Sequence, residues 1–345
     1  MLIQVTHETR YAYAPAVEVA QHMAYLRPLE TTTQKVLQHI LDVEPTPDQQ
    51  LPTRDIYGNT RTYLSLQSVH EQLRVVALST VQTQASPPPP STIAWEQVRE
   101  HFRFRAGAVY DPASEFVFTS PYVPRHADFA AYARASFGPG TPLLAAAQDL
   151  MHRIHAEFRY ESDSTEVGTP ALLALAQRRG VCQDFAHIMI GCLRSLGLAA
   201  RYVSGYLVTQ PAPGQPRLIG SDASHAWVSV LLPDLAEDAR WVDFDPTNDR
   251  WGWNSPGEDY VIVATGRDYA DVSPIRGVIH GGASHQLHVA VTVMPLDDPA
   301  APPLESGATP SAAVPASPPT QTQSQTLQGS IITPLATPLP KTPAP

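Results

Sequence analysis

The first 85 residues alternate between apolar and polar positions in short runs, of which 73–78 is a clear example. Clusters of turn-forming residues at 45–48 and 57–59 separate these runs. Alternation with a period of two predicts strands that bury one face, and several short strands divided by turns are typical of a β-sandwich. We therefore predict a β-sandwich domain over residues 1–85.

Beyond residue 92 the pattern changes to helical periods, and strands follow only later in the chain. Helices that precede the strands, instead of alternating with them, indicate an α+β fold, here a single core over residues 92–295. The predicted helices cover 95–102, 129–135, 142–158, 170–179 and a run from Cys182 to Gly197, and the predicted strands cover 200–210, 225–232, 240–245, 260–264 and 287–294.

Two proline-rich segments flank this core. Residues 86–91 read Ser-Pro-Pro-Pro-Pro-Ser, which predicts a stiff, extended linker between the two folded units. Residues 296–345 consist mainly of Pro, Ala, Ser, Thr and Gln and contain no aromatic residue. Because such a composition buries too little apolar surface to offset chain entropy, we predict that this tail is disordered.

Composition and charge narrow the possible partners. The chain has 345 residues, 43% of them hydrophobic, which is ample for two sizeable cores. Its formal net charge is −10 and it has no Lys/Arg-rich block, so nucleic acid and anionic membranes are not expected partners. The sequence does not indicate an oligomeric state.

The cysteine content and the N-terminus bear on location. Two cysteines do not make a disulfide framework, and the chemistry considered below needs one of them free, so a reducing, cytoplasmic compartment is expected. The first residues have no basic flank and no long apolar stretch, unlike a signal peptide. The most apolar run, 188–200, contains Arg194 and Ser195 and is too short to span a membrane.

Cys182 stands at the start of a strongly helical run. A cysteine on an apolar helix is most often buried packing, and Cys192, inside the same helix, fits that interpretation. Cys182 differs because the positive end of a helix dipole favours the thiolate form of a thiol placed there.

An imidazole and a carboxylate follow on two predicted neighbouring strands. If Leu231 pairs with Trp241 in a hairpin, Asp245 lies opposite Trp227, next to His225 along its strand. Asp243 then lies further away and more plausibly makes a structural hydrogen bond. Cys182, His225 and Asp245 together form the inventory of a nucleophilic triad.

The same residues carry a family resemblance. The stretches Gly-Val-Cys-Gln-Asp-Phe-Ala-His (180–187), Ala-Arg-Tyr-Val-Ser-Gly-Tyr-Leu (200–207), Asp-Ala-Ser-His-Ala-Trp-Val (222–228) and Phe-Asp-Pro-Thr-Asn (244–248) resemble the bacterial transglutaminase-like proteins. The resemblance implies a papain-like core, with a central helix packed on an antiparallel sheet, and the roles of nucleophile, base and orienting acid for Cys182, His225 and Asp245.

The resemblance reaches the N-terminus. His-Glu-Thr-Arg-Tyr-Ala-Tyr (7–13), Leu-Arg-Pro (26–28) and Asp-Ile-Tyr-Gly-Asn (55–59) resemble the accessory β domain that precedes this core in one bacterial subfamily. The family includes transglutaminases, peptidases, amidases and members without activity. It therefore implies cysteine chemistry without deciding the reaction.

A Cys182–His225 pair would attack an amide carbonyl and form an acyl-enzyme, which water or an amine then resolves. Because water is the default acceptor, we expect a peptidase or amidase acting on a peptide or protein substrate. The alternatives are a transglutaminase, which transfers the acyl group to an amine, and a non-enzymatic scaffold with the same fold.

The sequence does not determine which residues line the cleft. The backbone N–H of Cys182 is the first candidate donor to the oxyanion. Gln183, Tyr160 and Trp227 are candidates for a second donor or for cleft walls, although Trp227 also suits the core. No nucleotide-binding motif is present, and two histidines spaced i, i+3 on a predicted helix, His152 and His155, are only a weak metal signal, so neither cofactor nor metal is expected.

Overall fold

The computed structural model describes residues 1–85, 87, 90–103, 105–107, 109–161, 168–209, 224–282 and 284–296. The linker 86–91 lies partly outside these residues, and all of the proline-rich tail except residue 296 lies outside them. Both assignments therefore stay predictions. Within the described ranges, no helix combines the length and the apolar character needed to cross a membrane.

The described elements follow the predicted order, and each helix and strand expected beyond residue 92 forms near its expected bounds. In chain order they are Leu2–Ala24 (β1), Gln34–Glu44 (β2), Gln49–Arg54 (β3), Thr60–Leu66 (β4), His70–Thr83 (β5), Trp95–His101 (α1), Ala127–Ala133 (α2), Leu143–Glu157 (α3), Arg159–Tyr160 (β6), Ala171–Gln177 (α4), Arg179–Gly180 (β7), Cys182–Ser195 (α5), Ala200–Leu207 (β8), Ser224–Leu231 (β9), Trp241–Asp245 (β10), Arg250–Trp253 (β11), Tyr260–Gly266 (β12), Tyr269–Val272 (α6), Ile275–Gly281 (β13) and Ser284–Pro295 (β14).

The N-terminal unit is a curled sheet built around the long strand β1. The first half of β1 pairs with β5 and β14, and its second half pairs with β4 and β13. The register shifts between Ala12 and Val17, where the strand changes partners. The strands paired with the two halves of β1 contribute to one apolar core, for example Leu73 of β5 and Leu64 of β4. The sheet therefore closes on itself like a sandwich.

The pairing of the last two strands shows that the predicted C-terminal boundary of the core was wrong. The strand predicted at 287–294 forms, but β13 and β14 pair with β1 and complete the N-terminal sheet. Residues 275–295 thus belong to the β domain in space, although the sequence analysis placed them in the core. Local alternation predicts that a strand forms, but the partner depends on which edge is open in the folded molecule.

The core consists of a buried helix against an antiparallel sheet, as the α+β prediction required. The sheet has the order β11-β10-β9-β8-β12, and α5 packs on β8 and β9. Helices α2, α3 and α4 contact α5 as well, and every α5 residue from Cys182 to Arg194 is buried. A helix that is enclosed on all sides holds the residue at its start in a fixed position.

The β domain is tied to the open edge of the core sheet by two side-chain amides. Gln34 donates to the carbonyl of Ile262 at 2.7 Å and accepts from its N–H at 2.8 Å. Asn59 makes the same pair of bonds with Thr265, at 2.7 and 2.8 Å. β12 is the edge strand of the core sheet, and each amide supplies the hydrogen bonds that a neighbouring strand would otherwise make. The β domain thus satisfies backbone groups that the core sheet leaves unpaired at this edge.

Candidate active site

Cys182 is the first residue of α5, directly after the short strand β7. The carboxylate of Asp184 accepts the N–H of Val181 at 2.9 Å and so caps the helix start. Gly180 permits this approach, because a Cβ there would lie 2.6 Å from an Asp184 carboxylate oxygen. The Cys182 side chain is 4% exposed and lies at the positive end of the helix.

His225 and Asp245 meet across the β9–β10 hairpin in the predicted register. Leu231 pairs with Trp241, and Asp243 with Ser229. His225 Nε2 and Asp245 Oδ2 are 2.7 Å apart, which is a short hydrogen bond between a ring nitrogen and a carboxylate. The structure therefore brings together the imidazole and the carboxylate that the sequence analysis selected.

Asp245 is fully buried and accepts hydrogen bonds on both oxygens. The backbone N–H groups of Thr247 and Asn248 donate to Oδ1, at 2.9 and 3.3 Å. Oδ2 receives the Asn248 side-chain amide and the Tyr260 hydroxyl, each at 2.7 Å, besides His225. Burial alone would raise the pKa of Asp245, but the charge of His225 and these hydrogen bonds outweigh it and lower the pKa.

The surroundings of His225 favour its protonated form. Burial would lower its pKa, yet the charge and hydrogen bond of Asp245, followed by the interaction with Cys182, raise the pKa well above its ordinary value. Since Asp245 engages Nε2, the nitrogen left for the Cys182 sulfur is Nδ1. The imidazole side chain is 11% exposed, so little water screens these interactions.

Tyr260 is a member of this cluster that sequence reasoning missed. It lies on β12, which pairs with β8 and not with the hairpin that carries His225 and Asp245. Its hydroxyl reaches Asp245 across the sheet face, and its ring lies 6.0 Å from the imidazole. The only available signal was one phenol at the start of an apolar strand, which by itself indicates packing.

Trp227 lies beneath the imidazole rather than along an open cleft. Its side chain is fully buried, and its ring lies 5.9 Å from that of His225. The indole N–H donates to Asp243 at 2.8 Å, and Asp243 also accepts the Ser229 hydroxyl. The N–H of Trp227 is therefore engaged elsewhere, which does not fit the role of oxyanion donor, while Asp243 has the structural role expected for it.

Tyr160 and Gln183 flank Cys182 on different elements. Tyr160 ends β6, which pairs in parallel with β7, and its side chain is 43% exposed. Burial and the nearby charges of Cys182 and Asp184 raise the pKa of the Tyr160 phenol, so its hydroxyl remains a donor. Gln183 is 8% exposed and sits in the first turn of α5.

The second thiol shows what an unactivated cysteine looks like in this fold. Cys192 is fully buried nearly three turns further along α5, and burial raises its pKa far above that of an ordinary thiol. His187 is also buried, stacks on Tyr122 with ring centroids 5.5 Å apart, and has its pKa lowered to about 3 by burial. Cys192 serves packing, as the sequence analysis expects, while His187 also accepts the backbone N–H of Tyr269 at 3.3 Å.

The arrangement brings a thiol at a helix start, an imidazole and a buried carboxylate into one cluster. In the described part of the chain, no three His, Cys, Asp or Glu side chains are grouped to hold a metal ion. His152 and His155 instead bind Asp249 at 2.8 Å and the carbonyl of Thr247 at 3.0 Å, so they brace the turn that follows Asp245.

Known proteins share both units of the chain. Residues 3–82 match the bacterial transglutaminase-like N-terminal region, and residues 130–246 match the transglutaminase-like superfamily. An uncharacterised protein of Mycobacterium tuberculosis is 39% identical over 304 residues, which cover 85% of this chain and 93% of that protein. An uncharacterised protein of Mycobacterium leprae is 31% identical over 297 residues, covering 84% and 98%.

Among solved structures, a candidate cysteine protease from Cytophaga hutchinsonii has a similar fold. It superposes with a TM-score of 0.63 at 23% identity, over 86% of this chain and 92% of that one. At this identity the likeness concerns the fold, including the β domain ahead of the core. The matched regions and full-length relatives agree, and this chain belongs to the transglutaminase-like superfamily, with a bacterial transglutaminase-like N-terminal region preceding its core.

Proposed function

We propose that the protein is a cysteine peptidase or amidase that acts on amide bonds of peptides or proteins through an acyl-enzyme. One observation carries the proposal: a buried, five-fold hydrogen-bonded carboxylate orients an imidazole that lies within reach of a thiol at a helix N-terminus. A scaffold would gain nothing from burying an acid and a base side by side at this cost in desolvation.

In the proposed reaction, Cys182 sulfur attacks the amide carbonyl while His225 holds the proton that the thiol has given up. The tetrahedral intermediate collapses as the C–N bond breaks, and His225 donates that proton to the leaving amine. Water then loses a proton to His225 and attacks the thioester, which releases the acid and restores the thiol. Asp245 stays ionised throughout and keeps the imidazole oriented.

Tyr160 is our candidate for the second oxyanion donor, beside the backbone N–H of Cys182. Its phenol is protonated, partly exposed and close to the sulfur. A donor that acts on the transition state changes kcat more than KM. We expect Tyr160→Phe to reduce kcat about 10² fold with KM nearly unchanged, as measured by steady-state kinetics. A rise in KM alone would instead make Tyr160 a wall of the substrate cleft.

The proposed function needs a free thiol, and both cysteines are unpaired. We therefore also propose that the protein works in a reducing compartment such as the cytoplasm. Expression of a tagged full-length chain in its native cell, followed by fractionation, tests this. Recovery from an oxidising compartment with Cys182 oxidised would contradict it.

The activated pair is tested by the rate of iodoacetamide alkylation of Cys182 between pH 5 and 9, followed by mass spectrometry. An imidazole beside the sulfur can take up the thiol proton, so Cys182 should react faster than an ordinary thiol. His225→Ala should slow alkylation of Cys182 and change its dependence on pH. Cys192 in the same molecule is the internal control and should stay unlabelled unless the protein unfolds.

If Cys182 is alkylated with the same pH dependence in the wild type and in the His225→Ala variant, the Cys182–His225 pair is not activated and the proposal fails. If activation is found, the acceptor is decided with a glutamine-containing protein and a labelled primary amine. Both reactions release ammonia from glutamine, so the acyl product is read out instead: glutamate or cleaved peptide supports hydrolysis, whereas incorporated amine shows a transglutaminase. Cys182→Ser provides the blank for both readouts.

A further inference from the structure

A pocket of about 400 Å³ lies where the β3–β4 turn of the β domain meets the segment around α6. This volume falls within the range of small-molecule sites. Its charged lining consists of four arginines and two aspartates, a net charge of +2 on a chain whose formal charge is −10. The six residues are Arg54, Arg61, Arg267, Arg276, Asp55 and Asp271.

Both aspartates are engaged within the protein. Asp55 accepts the backbone N–H groups of Tyr57 and Asn59, each at 2.9 Å, and the Asn59 amide at 2.8 Å. Asp271 forms a two-bond ion pair with Arg267, at 2.9 and 3.0 Å. Their carboxylates thus stabilise the turn and one arginine.

Three arginines have no carboxylate at ion-pair distance, although Arg276 interacts electrostatically with Asp271, which is already bonded to Arg267. Within the described residues, no ion pair involves Arg54, Arg61 or Arg276. Arg61 Nη1 and Arg276 Nη2 lie 3.5 and 3.4 Å from the same oxygen, the hydroxyl of Tyr25. The two guanidinium groups repel each other at this distance. An anion bound between them would attract both and offset that repulsion.

Arg276 is also held in place before any ligand arrives. Arg276 Nη1 donates to the carbonyl of Ala270 at 2.6 Å, and its guanidinium lies over the Tyr25 ring, 5.4 Å from the centroid. Tyr25 is buried, and its N–H donates to the carbonyl of Pro274 at 2.8 Å. A preorganised guanidinium loses little freedom on binding, so more of the contact energy appears as affinity.

We propose that this pocket binds a phosphate group, as free phosphate or as part of a small phosphate ester. A tetrahedral dianion offers oxygens to guanidinium groups that approach from different sides, and its charge balances the net charge of the lining. A single carboxylate would leave one positive charge unmatched. The site contains no residue of the Cys182 cluster, so the proposal stands independently of the proposed reaction.

The test is calorimetric titration of the full chain with sodium phosphate, against sodium chloride at equal ionic strength. We expect saturable one-to-one binding for phosphate alone. Arg61→Gln and Arg276→Gln should each raise Kd at least tenfold, since each removes a charged hydrogen-bond donor. Arg103→Gln, an exposed arginine far from the pocket lining, is the matched control and should leave Kd unchanged.

Because Arg276 supports packing, thermal unfolding of each variant accompanies the titration. Arg54→Gln alters an exposed side chain without a described partner, so it should keep the fold and still weaken binding several-fold. Tighter binding of glycerol phosphate than of inorganic phosphate identifies an ester as the ligand, and the reverse identifies free phosphate. No saturable binding to the wild type, or a Kd unchanged in all pocket variants, overturns the proposal.

Discussion

At the scale of single residues, Asp245 determines the electrostatics of the site. Its five donors hold the carboxylate in one orientation, and the donors are redundant because four remain when one is removed. The carboxylate itself has no substitute, since a buried imidazolium without a counter-charge is strongly unfavourable. Loss of a donor and loss of the acceptor should therefore have very different effects.

Tyr260→Phe tests this distinction. The variant loses one hydrogen bond to a charged group, so we expect the free energy of unfolding to fall by about 2 kcal/mol. Alkylation of Cys182 at neutral pH should persist, because His225 and Asn248 still bind the carboxylate. In Asp245→Ala the same alkylation should disappear. A Tyr260→Phe variant as unreactive as Asp245→Ala would mean that the hydroxyl itself orients the base.

At the scale of elements, the start of α5 positions Cys182, the proposed nucleophile. The short strand β7, the Asp184 cap and the buried body of the helix all fix the backbone around Cys182. The cap depends on Gly180, because a side chain there would collide with the Asp184 carboxylate. A single methyl group at this position should disturb the helix start without touching the sulfur.

We expect Gly180→Ala to lower the free energy of unfolding by about 1 kcal/mol or more, the usual cost of losing an N-cap, and to slow Cys182 alkylation. Denaturant unfolding and the alkylation rate measure the two effects. Gly168→Ala is the matched control, since a Cβ there meets no atom of the described residues within 4 Å. Equal stability and reactivity in the two variants would refute the role of the cap.

At the scale of the whole molecule, buried neutral histidines link stability to pH in both units. His22 lies in the β-domain core and His7 at the junction with the transglutaminase-like core, where it contacts Tyr206 at 2.9 Å. Burial lowers the pKa of each to about 4, and that of His187 in the core to about 3. In the described surroundings of His22, neither ring nitrogen has a hydrogen-bond partner.

These histidines should make the fold sensitive to acid. Unfolded histidine takes up a proton below about 6.5 while the folded one does not, so stability is complete above that pH and falls between pH 6.5 and 4. Each histidine contributes a slope of about 1.4 kcal/mol per pH unit in that window. In denaturant unfolding measured at several pH values, His22→Leu should reduce the slope by about 1.4 kcal/mol per pH unit, the contribution of one proton. An unchanged slope would contradict the assignment.

Much of this protein follows from local pattern. Five helices and five strands beyond residue 92 were predictable because hydrophobic periodicity reflects burial within one element, whereas β6, β7, β11, β13 and α6 were not predicted. The pairing of Leu231 with Trp241 was predictable as well, since a short hairpin leaves few registers open. From that register, Asp245 rather than Asp243 emerged as the partner of His225.

Other features depend on contacts between distant parts of the chain. The amino-acid sequence by itself determined the fold class, the position of Cys182 at a helix start and the His225–Asp245 pair, because these depend on neighbours within an element or a hairpin. Only the tertiary structure decided that β13 and β14 join the N-terminal sheet, that Tyr260 reaches Asp245, and that Trp227 donates inward. Such contacts join residues that no local period relates, so packing and the open edges of sheets select them.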